Sequence, residues 1–103
     1  MQAVITYIFG KRWRLLFVPA SGLPKPRDRD GECVIPETPA HRVPNREMRV
    51  YDKLTGQQML ETIIHEHDHA SDPEKREEWV EHHAADLSRL LWKLGYRRKG
   101  HDE

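Results

Sequence analysis

Hydrophobic and polar positions follow two different periods along this chain. From Val4 to Phe9 the residues are mostly β-branched or aromatic, and after Gly10-Lys11 the same character returns from Trp13 to Val18. That pattern predicts two strands joined by a tight turn. Side chains alternate along a strand, so Trp13, Leu15 and Phe17 share one face, which is expected to press against a helix. Between residues 19 and 45 lie six of the seven prolines, at 19, 24, 26, 36, 39 and 44. Proline removes a backbone donor and fixes φ, so this segment reads as a long loop with pairing only in a short stretch near Cys33 to Ile35. Alternation resumes from Glu47 to Tyr51, with Met48 and Val50 on one side and Arg49 and Tyr51 on the other, and predicts an edge strand.

Beyond Tyr51 the period lengthens to that of a helix. Thr55 followed three positions later by Gln58 matches a capping box, which starts a helix near Gly56 that runs to about Ala70. Leu60, Ile63, Ile64 and His67 form its expected buried stripe. Asp72-Pro73 offers a second start, and Glu74 and Glu77 suit the positive end of the helix dipole. Trp79, Val80, Leu87, Leu90, Leu91 and Leu94 then recur at helical spacing, and Gly95 is placed to end the helix in a left-handed cap. The expected fold class is therefore α+β: one domain over residues 1–103, with about three antiparallel strands packed on two antiparallel helices and a tail from about residue 96.

Composition narrows the function. Hydrophobic residues make up 37% of the 103 and charged residues 33%, so little apolar surface can be buried and a bound metal would add stability. Seventeen basic and seventeen acidic side chains cancel, which removes the electrostatic case for a nucleic-acid or membrane partner. The basic runs Lys25 to Arg29 and Arg97 to Lys99 contain or precede acidic residues and read as solvated surface. Cys33 is the only cysteine, so neither an intrachain disulfide nor a cysteine-built zinc site can form. The apolar stretch Ala3 to Phe9 is interrupted by Lys11, Arg12 and Arg14 short of signal or membrane length. A soluble cytoplasmic protein is the expectation.

The candidate chemistry lies in His65-Glu66-His67-Asp68-His69. Residues four apart share a helix face, so His65 and His69 can aim both imidazoles at one point, with Glu66 beside the space between them. Neutral imidazole suits zinc, and a carboxylate next to an open coordination position can take a proton from metal-bound water. A third ligand is expected from the next helix. His82 is the first choice there, with Asp86 four residues on, and His83 and Glu81 are the alternatives.

Over about Glu47 to Leu94 the chain resembles the gluzincin metallopeptidases, in particular minimal ones with little beyond a small sheet and two zinc-bearing helices. The resemblance implies zinc as cofactor, His65 and His69 as ligands, Glu66 as general base and a peptide or protein as substrate. It also implies a glutamate ligand on the following helix, with an aspartate four residues beyond it orienting the first histidine. Counting back from Asp86 gives His82, so histidine stands where that family has glutamate. The alternative function is a non-catalytic zinc-stabilised binding or accessory domain, its site closed by His83 or by His101 and Asp102. For catalysis, Tyr51, Tyr96 and the arginines are the candidate oxyanion donors.

Overall fold

The computed structural model describes residues 3–23, 30–34 and 46–99. Strand β1 (Ala3–Ile8) and strand β2 (Lys11–Val18) form the expected hairpin. Phe9 and Gly10 both take positive φ, 50° and 76°, the left-handed pair that matches a two-residue turn to the twist of its strands. Two further strands follow, β3 (Gly31–Val34) and β4 (Arg46–Tyr51), and the sheet order is β1-β2-β4-β3. β1 with β2 and β3 with β4 are antiparallel, whereas β2 and β4 run parallel.

Two expectations are corrected here. Among the described residues the sheet has four strands and is mixed, and β4 is an interior strand. The short stretch at Cys33 supplies the edge instead. A parallel pair needs a crossover of a dozen or more residues, and the proline-containing segment between Val18 and Arg46 provides that length. Local alternation in β4 could not reveal it, since an interior strand and an edge strand with one buried face share the same pattern.

Odd-numbered residues of β2 face the helices, as expected. Trp13 packs with Ile8, Met48 and Ala70, while Leu15 and Phe17 border a second cluster of Val50, Leu54 and Met59. On the opposite face Leu16, Val18 and Leu23 form a smaller cluster, and the 3₁₀ turn Ala20–Gly22 lies directly on Val18.

Helix α1 (Gly56–Ser71) packs on β3 and β4, and helix α2 (Glu77–Lys93) packs on α1. The five residues between the two helices oblige α2 to fold back along α1. Thr55 does occupy the N-cap position, but its side chain makes no capping bond; Gln58 donates instead to Asp30 Oδ2 at 3.2 Å. The buried stripe of α1 is Met59, Thr62, Glu66 and Ala70, displaced from the expected Leu60, Ile63, Ile64 and His67. The second helix begins at Glu77, not at Pro73. Asp72 closes α1 through its N–H to Asp68 O at 3.0 Å, and its Oδ1 accepts from the Glu74 N–H at 3.1 Å, which makes residues 72–74 a turn.

The seam between the helices is built from small side chains. Val80, Ala84 and Ser88 are completely buried on α2, whereas Trp79, Leu90 and Leu94 are 44%, 54% and 65% exposed. Gly95 ends α2 at φ 93°. Arg97 then stacks on Trp92 at 3.3 Å and Arg98 lies over Phe17 at 3.8 Å, contacts that bind the following chain to both layers. The basic run at Lys25 and the residues from His101 onward lie outside the described residues. Among the described residues no helix is long and apolar enough to cross a membrane.

Candidate metal centre

His65 and His69 leave α1 on the same side, one turn apart, and their rings meet edge to face with centroids 4.8 Å apart. Their Nε2 atoms are 3.1 Å from each other. The carboxylate of Glu77, the first residue of α2, spans both: Oε1 lies 2.8 Å from His65 Nε2 and Oε2 lies 2.9 Å from His69 Nε2. The candidate ligand atoms of the three residues all fall within 4.8 Å of one another. Both imidazoles are partly buried and the Glu77 side chain is exposed at the rim.

The donor chemistry of this group favours a cation. A carboxylate only accepts hydrogen bonds, so each contact to Glu77 asks for a proton on Nε2. Two protonated Nε2 atoms would then confront each other across 3.1 Å with no acceptor between them. A positive ion in place of those protons lets three lone pairs converge without conflict. In a tetrahedral zinc site with bonds of about 2.0–2.1 Å, neighbouring ligand atoms stand roughly 3.3 Å apart, so the donors need retreat by only a few tenths of an ångström. Two imidazoles and a carboxylate suit zinc and other first-row divalent ions.

Of the residues expected from sequence, His65 and His69 are brought together and His82 is not part of the group. His82 is exposed, five residues past Glu77 on α2. Helical rise carries it about 7.5 Å further along the axis, while the short link fixes the first turn of α2 beside the histidines. Neither Glu81 nor His83 belongs to the group. The His83 Nδ1–H donates to Asp68 Oδ2 at 2.6 Å, and its ring stacks on Trp79 with centroids 4.6 Å apart. The Lys75 ammonium lies 4.3 Å from the Trp79 ring. Asp86 is held by Arg89 at 3.3 Å. Glu77 was valued in the sequence only for its effect on the helix dipole. The signal that could have found it is the short link after His69, which confines a third ligand to the first turn of the next helix.

Glu66 lies on the sheet-facing side of α1 and is only 6% exposed. Its carboxylate lies against Gly31 of β3, where an added Cβ would stand 2.7 Å from Glu66 Oε2 and 3.0 Å from the Arg49 carbonyl. Glycine at this position is what allows the strand and the carboxylate to meet. Cys33, two residues further along β3, has its thiol pushed up to about 12, first by burial and then by the negative charges of Glu66 and Glu32.

These groups line a cleft of about 960 Å³ between β3, α1 and the start of α2, which includes Cys33, His65, Glu66, His69 and Glu77. Among the described residues, neither Tyr51 nor Tyr96 lines it, and no arginine does. Comparison with known protein families, with characterised proteins and with solved structures finds no match to this chain.

Proposed function

We propose that this chain is a zinc-dependent hydrolase of peptide bonds, with His65, His69 and Glu77 holding the metal and Glu66 as the general base. One observation carries the reading: three metal-type donor atoms converge in a cleft that also contains a buried carboxylate from the residue next to the first donor. Zinc, when bound, supplies a Lewis acid and a water of lowered pKa. Glu66, shielded from bulk solvent against Gly31, holds the proton removed from the nucleophile and returns it to the departing amine. Among the described residues three donors converge, the number of protein ligands that a catalytic zinc keeps, whereas a closed structural site takes four.

The test is a peptide-library digest by the zinc-loaded chain beside its Glu66→Gln variant. The variant is expected to keep one zinc and to lose hydrolysis by about a hundredfold or more. Undiminished hydrolysis by Glu66→Gln refutes the base. Tightly held zinc with no cleavage of any peptide favours the zinc-stabilised binding domain instead.

A further inference from the structure

Among the described residues β1 forms one edge of the sheet, paired with β2 alone. Its segment from Ala3 to Phe9 has no charged residue and no proline, and its register with β2 runs without a bulge. Folded proteins usually blunt a free edge with one of these devices. The opposite edge is blunted: β3 is four residues long, carries Glu32 and has α1 packed on it. On β1, Val4, Ile5 and Tyr7 are 47%, 43% and 66% exposed, and Phe9 at the turn is 84% exposed. Phe9 also has φ 50°, a conformation that bulky side chains rarely adopt and that burial in its own chain does little to offset.

The hairpin fixes which backbone groups point outward. A two-residue turn is closed by a doubly bonded pair, here Ile8 with Lys11, so the alternating antiparallel pattern directs the N–H and C=O groups of Val4, Thr6 and Ile8 to β2. Ala3, Ile5 and Tyr7 direct theirs to the open edge. A second copy running antiparallel about a two-fold axis at Thr6 matches this pattern. Ile5 of each copy then exchanges two hydrogen bonds with Tyr7 of the other, and the two Thr6 residues face each other as a pair without mutual backbone bonds. Val4 stands opposite Ile8, and Ala3, the smallest side chain of the strand, comes opposite Phe9. Apolar and threonine–threonine pairs of this kind stabilise antiparallel strands. Lys11, Arg12 and Arg14 on β2 stay three strand spacings from β2 of the second copy, about 14 Å, beyond the roughly 8 Å screening length at physiological salt. At about 150–250 Å² for a large side chain, Val4, Ile5, Tyr7 and Phe9 offer on the order of 450 Å² per copy. About 900 Å² from two copies suits a reversible interface, not an obligate one.

We infer that this chain forms a two-fold symmetric dimer through antiparallel pairing of β1 with β1 of a second copy, centred on Thr6. The pairing joins two copies of the four-stranded sheet into one continuous sheet. β2 and β4 separate β1 from β3, whose residues line the cleft, so the candidate metal group stays open in the dimer.

Two measurements on the full chain decide it. Sedimentation equilibrium is expected to show reversible association to two copies with Kd on the order of 1–100 μM. Ile5→Lys should weaken it at least about tenfold with the circular dichroism unchanged, because a lysine then replaces an apolar contact to Tyr7 in both pairs. A chain monomeric to about 1 mM overturns the inference and leaves the edge to a strand of another protein. An Ile5→Lys variant that associates as tightly as the wild type, or association beyond two copies, overturns it as well. Cross-linking tests the register in a Cys33→Ser background. Thr6→Cys places two thiols across the axis with Cα atoms about 4.5 Å apart, within disulfide range, whereas Val4→Cys leaves them roughly 14 Å apart. Oxidised glutathione is expected to convert Thr6→Cys to a covalent dimer and to leave Val4→Cys free of cross-links; equal cross-linking of the two, or none of either, rejects the pairing.

Discussion

Adding a single methyl group at Gly31 tests where Glu66 sits. In Gly31→Ala the new Cβ would meet Glu66 Oε2 at 2.7 Å, Glu66 Cγ at 2.9 Å and the Arg49 carbonyl at 3.0 Å. Arg49 belongs to β4, which is paired on both sides, so its carbonyl cannot retreat and the Glu66 side chain must swing by roughly 1 Å. Overpacking of this kind costs about 1–3 kcal/mol, and a displacement of that size in a catalytic carboxylate costs about a hundredfold in rate. The assay is urea unfolding of the metal-free protein in a double-mutant cycle with Glu66→Ala, which deletes two of the three close contacts. The alanine at 31 should cost at least about 1 kcal/mol less in the Glu66→Ala background. Strict additivity of the two changes would show that Glu66 does not lie against Gly31, and the placement of the base would fall with it. Zinc retention by Gly31→Ala should be unchanged, because none of the three ligands is among the atoms nearest the new Cβ.

Cys33, with its thiol pushed up to about 12, should react slowly with thiol reagents at pH 8, and Glu66→Gln should speed the reaction by removing one of the charges that raise it. The folded thiol keeps its proton where the unfolded one, ordinary value 9.0, has lost it. Stability present below pH 9 should therefore decline as pH rises from about 9 toward 12, a slope that Cys33→Ser abolishes; an unchanged slope in that variant would contradict the assignment. His83→Ala should cost about 1–2 kcal/mol in urea unfolding, since it strips a donor from the largely buried Asp68 carboxylate. The same cost measured in an Asp68→Ala background would show that the pair does not interact.

The parts of this fold legible in the sequence are those set by local pattern. The hairpin, the span of α1 and the convergence of His65 with His69 follow from alternation, capping position and the four-residue helical repeat. What escaped is set by packing between distant segments. The stripe on α1 runs through Glu66 because that face meets β3 and β4, and no hydrophobicity pattern expects a carboxylate there. On α2 the large residues Trp79, Leu90 and Leu94 dominate the periodicity, yet close helix approach is achieved by Val80, Ala84 and Ser88. The parallel pairing of β2 with β4 depends on a crossover that leaves no local trace. Glu77 escapes for another reason: the third ligand is sought by counting back four from Asp86, which gives His82, whereas the first turn of α2 is what stands beside the histidines.

Zinc content of the dialysed protein, measured for the wild type beside Glu77→Ala and His82→Ala, bears most directly on the proposed centre. One zinc per chain is predicted for the wild type and for His82→Ala, with the metal lost or bound at least about a hundredfold more weakly in Glu77→Ala. A wild type that holds no zinc, or a Glu77→Ala variant that binds it as tightly as the wild type, would contradict the assignment.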